Sequence, residues 1–272
     1  VIELSSALQN VFKGKNAFNE ILDAEGEVFR EHKNRRTVRI ICDGKGYFVK
    51  VHRNIGWREI IKNLFSLRLP VLSAGNELRA IRMLDALGIE TMKVAGFGER
   101  GHPPAWLESF LITEELENTI SLDHFSREWK THPPDVHLKW AIIRKIASIA
   151  RCLHERGMNH RDFYICHFLI DLRAADARDG CEGMHLYLID LHRVQMRKHT
   201  PERWIIKDIA GLFFSGMDIG LTRRDLFRFI KIYSGKPLRD ALRDDQKFWN
   251  RVSHRAITLY KRHFHHLPAM VL

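Results

Sequence analysis

From Leu138 to Arg156 the chain keeps one helical apolar period, with Ile142, Ile146 and Ile149 among its positions, and closes it on Gly157. Directly after this helix come three ionisable residues in a row, His160-Arg161-Asp162, and then an apolar run, Phe168-Leu169-Ile170. A charged loop held between a long amphipathic helix and a buried strand limits the architectures open to the chain. The backbone there must be paired and the charges must be partnered or put to use.

The residues before this point read as strands. Glu27 to Arg30 and Thr37 to Ile41 are rich in β-formers and are separated by a charged loop, His32 to Arg36. Asp43-Gly44-Lys45-Gly46 signals a turn, and Tyr47 to His52 forms a third strand. Two helices follow, Trp57 to Leu67 and about Asn76 to Leu87, the second capped by Gly88. Strands return at Thr91 to Gly98 and Trp106 to Thr113, and from about Glu115 the pattern turns helical. A strand–loop–strand stretch lies between Met158 and Val194, and helices fill the remainder to Leu267. The fold expected is α+β and two-lobed: a small strand-rich lobe over residues 1–116 and a larger helical lobe over 117–272, with the hinge near Leu116.

Composition narrows the function classes. The chain has 272 residues, 45% of them hydrophobic, which is enough for a core. No run approaches the roughly 18 apolar residues of a membrane span. The start, Val1 to Ser6, does not read as a signal peptide, and without an initiating methionine it reads as trimmed. Cys42, Cys152, Cys166 and Cys181 are scattered with no CxxC pair, which fits a reducing cytosol better than a disulfide scaffold or zinc ribbon. Lys and Arg number 44 against 33 Asp and Glu, a net +11, so an acidic partner or substrate is expected: nucleic acid, anionic membrane, or a phosphorylated or carboxylated molecule.

His160-Arg161-Asp162, with His167 five residues after Asp162, resembles the catalytic loop HRDxxxxN of protein kinases with His in place of the final Asn. Leu186-Tyr187-Leu188-Ile189-Asp190-Leu191-His192 resembles the strand that ends in DFG. Phe48-Val49-Lys50-Val51 resembles the strand bearing the nucleotide lysine, and Glu77 is placed to partner it. Asp208, in Lys207-Asp208-Ile209-Ala210-Gly211, resembles the aspartate that braces the catalytic loop. Each piece alone has a plainer reading. Lys50 would be a surface lysine on an edge strand, Glu77 a solvated helix residue, Asp190 the start of a turn, Asp208 an N-cap. Their order, spacing and context agree, and that agreement carries the resemblance.

The stretch from His160 to Asp171 is similar, more narrowly, to the lipopolysaccharide core heptose kinases of Gram-negative bacteria, close to the heptose I branch, and the similarity covers essentially the whole chain. In that family a His at the metal position is expected. The resemblance implies a two-lobed protein-kinase-like fold, ATP and Mg²⁺, and transfer of phosphate to a heptose hydroxyl of the inner core at the cytoplasmic face of the inner membrane. It implies Asp162 as the group that accepts or orients the hydroxyl proton, and Asp190 and His167 at the metal. It implies Lys50, Glu77, Glu114 and Leu116 at the nucleotide, and His160, Arg161 and Asp208 as structural support of the catalytic loop. A structural hydrogen bond is an equal reading of His167, since imidazole suits Mg²⁺ less well than an amide oxygen.

Departures from protein kinases matter. Arg30 to Arg36 has no glycine, so there is no GxGxxG loop; Lys33, Arg35 and Arg36 could contact phosphates, although a solvated basic hairpin is the plainer reading. Ile170 to Met184 reads as a hairpin loop, and the segment from Asp190 to Asp208 is short, with only an echo of APE in Thr200-Pro201-Glu202. Trp57, Ile60, Ile61, Leu64 and Phe65 share one helical face, read first as packed on the small lobe and second as resting on a membrane. The basic stretch Trp249 to His266 reads as a solvated face, with contact to anionic lipid or sugar phosphates second and a metal site discounted. The charge leaves room for an anionic membrane surface or an acidic protein as a further partner.

Three rivals are weaker. An aminoglycoside-type phosphotransferase would be acidic around its cationic substrate. A pseudokinase would lack Lys50, Asp162 or Asp190. A nucleic-acid-binding protein would explain the charge but not the ordered constellation, and no RNP, helix-turn-helix or zinc pattern is present.

Overall fold

The computed structural model describes residues 1–14, 16–32, 34–53, 73–102, 106–173 and 183–269. They form two compact units, one of Val1–Ala86 and Thr91–Leu116, the other of Leu87–Glu90 and Glu117–Leu272. The expected helix Trp57 to Leu67, Lys33 and much of the loop Ile170 to Met184 lie outside the described residues.

The first unit is built on an antiparallel sheet of order β1-β5-β6-β4-β3-β2. Its strands are β1 (Ile2–Leu4), β2 (Glu27–His32), β3 (Arg35–Cys42), β4 (Lys45–His52), β5 (Val94–Arg100) and β6 (Glu108–Glu114). Alternation decides which side chains go inward. Val38, Ile40 and Cys42 on β3, Tyr47, Val49 and Val51 on β4, and Phe110 and Ile112 on β6 are buried in one core. Leu8 of α1 (Ser6–Val11) and Phe18, Ile21 and Leu22 of α2 (Ala17–Leu22) close that core. The same alternation puts Lys50 on the opposite face, beside Thr37 of β3 and Leu111 of β6 in the ladder. Helix α3 (Gly75–Ala86) packs on β5 and β6 and buries Leu78, Ile81 and Leu84; Gly88, at φ +68°, follows it.

One expectation is corrected. The charged loop His32 to Arg36 is mostly strand, because β2 runs through His32 and β3 begins at Arg35. Arg36 pairs with Glu31 in the ladder and its Nη1 donates to the Ala24 carbonyl at 3.3 Å. Backbone pairing and a carbonyl partner let these arginines sit in strands that a loop reading, based on charge alone, denied them.

The second unit is mostly helical. After β7 (Thr119–Ser121) and the short α4 (Leu122–Phe125) comes α5 (Val136–Glu155), started by Asp135, whose carboxylate accepts from the His137 and Leu138 N–H groups. Its apolar stripe, Ile142, Ile143, Ile146, Ile149 and Leu153, is buried. It packs against α7 (Arg223–Ser234), while α6 (Glu202–Gly216) packs against α9 (Gln246–Phe264), with α8 (Leu238–Asp244) between α7 and α9 in the chain. Thr222 and Asp225 form a reciprocal capping box at the start of α7. An apolar pocket lies among these helices, lined by Ile142, Ile146, Leu212, Phe213, Leu226 and Trp249.

Two small sheets shape what lies between α5 and α6. β8 (Met158–Asn159) pairs with β11 (Gln195–Met196), and β9 (Phe168–Asp171) pairs with both β7 and β10 (Leu186–Leu188). Gly157 makes the first possible: it sits at φ +76°, and a Cβ there would lie 1.8 Å from the Arg197 carbonyl oxygen. Residues 87–90 belong to this unit because Glu90 is fixed to it. Its carboxylate accepts from Lys145 at 2.6 Å and from the Leu186 N–H at 3.1 Å, and it contacts His185. Burial alone would raise its carboxyl, but these donors outweigh that and hold it below the ordinary range.

Candidate active site

In the first unit Lys50 and Glu77 meet. The Lys50 Nζ donates to Glu77 Oε1 at 2.5 Å, and the Glu77 side chain is only 2% exposed against 21% for Lys50. A buried carboxylate with one cation as its partner fixes that cation in place, since either group alone would be left uncompensated. Glu114 ends β6; its backbone N–H donates to the Lys93 carbonyl at 2.9 Å and its carboxylate pairs with Lys45 at 2.9 Å. Leu116, half-buried, is the last residue of the unit.

In the second unit the loop after β8 is held from α6. Asp208 is fully buried, and its two oxygens accept from the His160 N–H at 2.6 Å and the Arg161 N–H at 2.8 Å. Arg161 stands in the left-handed region, at φ +74°, a conformation that costs about 1–3 kcal/mol for such a residue and needs this clamp. The buried His160 has its pKa lowered, first by desolvation, so its ring is neutral and Nε2 donates to the Ile189 carbonyl at 3.0 Å. Farther along, Ser215 of α6 accepts from the Ile165 N–H at 3.0 Å. The loop is thus fixed at three points, and Asp162 sits between them.

The β9–β10 pairing brings His167 and Asp190 side by side. The Ile189 N–H donates to the His167 carbonyl at 3.0 Å, and Asp190 follows at φ +61°. His167 donates from Nδ1 to the Asp162 carbonyl at 2.6 Å and turns Nε2 toward Asp190 Oδ2, at 3.5 Å. Burial opposes a charge on this ring, yet contacts with Cys166, the Asp162 carbonyl and Asp190 outweigh it and raise the pKa to about 9. His192 approaches the other Asp190 oxygen, with Nδ1 at 2.5 Å from Oδ1.

Asp190 and His167 could hold a metal as two donors, one hard and one borderline. Among the described residues no cluster of three or more His, Cys, Asp or Glu is arranged to hold a metal from side chains alone. Two protein donors suit Mg²⁺, which keeps several waters and takes further oxygens from substrate phosphates. His167 would join only as the neutral ring, with the proton now favoured on it displaced.

Sequence reasoning did not find Arg193. Its Nη1 lies 2.8 Å from both oxygens of Asp162, so the carboxylate taken as the acid/base group already has a cation on it. The available signal was the position of Arg193, three residues after Asp190, in a segment that folds back over the loop. Also missed was Trp204 of α6, with Arg161, Arg197, Arg203 and Lys207 grouped around its ring.

Residues 19–233 match the lipopolysaccharide kinase (Kdo/WaaP) family. The chain belongs to this family. It is 46% identical over 262 residues to the lipopolysaccharide core heptose(I) kinase WaaP of Escherichia coli K12, covering 96% of this chain and 98% of that protein. With the enzyme of the same name from Pseudomonas aeruginosa PAO1 it shares 45% identity over 259 residues, 95% of this chain and 96% of the relative. A solved structure of WaaP in complex with acyl carrier protein matches with a TM-score of 0.81 at 40% identity, covering 96% of this chain and 99% of that one. The protein is therefore a lipopolysaccharide kinase with a protein-kinase-like α+β fold, a phosphotransferase with an alcohol group as acceptor that acts in lipopolysaccharide biosynthesis.

Proposed function

We infer that this kinase uses ATP to phosphorylate a heptose hydroxyl of the lipopolysaccharide inner core. The observation that supports this best is the fixed loop in which Asp208 holds His160 and Arg161 while Asp162, His167 and Asp190 converge. The relatives that match along nearly the full chain are heptose(I) kinases, which supports the choice of acceptor.

In the reaction the acceptor oxygen bonds to the terminal phosphorus of ATP, the bond from that phosphorus to the bridging oxygen breaks, and ADP leaves. Phosphoryl transfer needs positioning and charge neutralisation more than covalent help. Lys50, held by Glu77, binds phosphate oxygens of the nucleotide, with Glu114 and Leu116 as its other contacts. Asp162 orients the acceptor hydroxyl and takes its proton. Arg193 fixes the carboxylate of Asp162 and supplies positive charge beside the transferring group. Asp190 and His167 would hold Mg²⁺, which would supply charge neutralisation at the phosphate oxygens. The test is mass spectrometry of isolated core oligosaccharide after incubation with enzyme and ATP–Mg²⁺. A gain of one phosphate on heptose is expected; an unmodified core would remove the reading.

Nucleotide binding has its own check. ATP–Mg²⁺ is expected to raise the melting temperature of the wild type and to leave that of Asp190→Ala nearly unmoved. Lys50→Ala is expected to melt lower even without nucleotide, because Glu77 keeps a buried charge without its cation, and to transfer phosphate slowly. Equal protection of wild type and Asp190→Ala would remove Asp190 from the metal.

No helix among the described residues is long and apolar enough to cross a membrane. We propose peripheral association with an anionic inner-membrane face, supported by the net charge of +11 and by the exposed Arg255, Lys261 and Arg262 of α9. The same charge supports an acidic protein partner, and we propose acyl carrier protein in that role, as in the solved relative.

A further inference from the structure

One part of the second unit holds more positive charge than the catalytic chemistry uses. Around the Trp204 ring stand Arg161 at 5.3 Å, Arg203 at 5.4 Å, Lys207 at 5.8 Å and Arg197 at 6.0 Å, measured to the ring centroid. Arg193 lies close enough to repel Arg161 and Lys207. The carboxylates nearby are already engaged. Asp162 is taken by Arg193, Asp208 by two backbone N–H groups, and Glu202 by Arg251 at 2.5 Å. Arg197 donates only to neutral oxygens, those of Asn159 at 2.7 Å and Gln195 at 2.6 Å. Among the described residues no carboxylate forms an ion pair with Arg161, Arg197, Arg203 or Lys207.

Two buried polar atoms point the same way. Arg161 Nε and Trp204 Nε1 are shut off from solvent, and neither has a hydrogen-bond partner among the described residues. Both are donors only, and orphaned buried donors are rare and costly. The group that would satisfy them is therefore an acceptor. The start of α6 adds to this, because its N-cap is Pro201, which offers no capping side chain to the first N–H groups of the helix. Burial lowers the pKa of both Arg161 and Lys207, with Arg193 adding to it and Asp162 and Asp208 acting against it, so a bound anion would favour the charged forms.

We propose that this cluster is the subsite that holds a carboxylate of the acceptor, on a part of it other than the heptose that is phosphorylated. The assignment rests on the heptose kinase reading and adds to it how the acceptor is oriented. Asp162 lies close enough to act on the charges of both Arg161 and Lys207, so an anion seated here brings the rest of the acceptor near the acid/base carboxylate. Guanidinium groups suit the occupant, since their fork matches both carboxylate oxygens, and the aromatic face of Trp204 gives the sugar ring an apolar surface. Contact with the indole π-face offsets part of the repulsion among the four cations and so helps to keep them together.

The test compares acceptors as well as variants. Lys207→Gln and Arg203→Gln are assayed on the natural core acceptor, on the same acceptor with its carboxylates converted to methyl esters, and on one stripped of phosphate. Arg203 is exposed, so its variant keeps the test valid if Lys207→Gln folds poorly. Each variant is expected to raise the KM for the natural acceptor about tenfold, the scale of one hydrogen bond to a charged group. The KM for ATP and the kcat should stay close to wild type. Esterification should raise the wild-type KM in the same way and cost the variants far less, because the partner is already gone. An unchanged acceptor KM in both variants would overturn the subsite. So would equal losses on natural and esterified acceptors, which would mark a structural role, or a loss reproduced by stripping phosphate instead of esterifying, which would assign the cluster to a phosphate. A wild type that phosphorylates no form of the core would overturn the heptose reading itself.

Discussion

Replacing Asp162 by Ala is expected to lower kcat by about 10²–10⁴-fold, the usual cost of losing a positioned acid/base group. The KM for ATP should change little, because Lys50 and Glu77 belong to the other compact unit. Folding should survive. Asp162 is not one of the groups that hold the loop; those are Asp208, Ser215 and the Ile189 carbonyl. The ion pair lost is that with Arg193, whose side chain is 38% exposed, and such pairs contribute about 1 kcal/mol or less. Asp162→Asn separates two roles. If the carboxylate only anchors Arg193, Asn loses the charge but keeps an acceptor for the guanidinium, and much of the rate returns. If it takes the proton, Asn is as inactive as Ala. The expected result is the second. A purified Asp162→Ala enzyme with the wild-type melting temperature and near wild-type turnover would remove Asp162 from the chemistry.

The parts of this site that the sequence discloses are those that are contiguous. His160, Arg161, Asp162 and His167 sit within eight positions after a strongly periodic helix, so period, loop and strand are all visible at once. Asp190 is visible because it ends an apolar strand. Lys50 is visible because it is the charged outward position between the inward Val49 and Val51 of β4. Arg193 and the cations around Trp204 are not visible in this way. They meet only because β11 pairs with β8 and α6 returns beneath the loop, and a run of Arg and Lys reads equally well as a solvated surface. The first helices fail for a different reason. α1 and α2 have six residues each, less than two turns, too short for Leu8, Phe18, Ile21 and Leu22 to show a period. Neither helix has a side-chain cap to mark its start. Their positions are set by the sheet they cover, which is information spread over β3, β4 and β6.

Asp208→Ala is expected to damage stability and activity together. Asp208 is 1% exposed and receives two backbone N–H groups, and its removal leaves both without an acceptor inside the protein. Each buried donor stranded in this way costs about 1–3 kcal/mol. For a chain of this size, 1 kcal/mol corresponds to a shift of about 2–4 °C in melting temperature, so a fall of about 10 °C is expected. The kinetic effect comes from Arg161. Its left-handed backbone is held by Asp208 on one side, and once released it can relax to an ordinary conformation and take Asp162 with it. A displacement of only about 1 Å at a catalytic group can cost about 10²-fold in rate. Asp208→Asn is the informative companion, because the amide keeps one acceptor oxygen and loses the other. It should fall between wild type and Ala in both melting temperature and kcat, with the KM for ATP nearly constant across the series. The measurements are thermal unfolding and steady-state kinetics on the three proteins. If Asp208→Ala melts within a degree or two of wild type, the two N–H groups have found other acceptors, and α6 does not hold the catalytic loop.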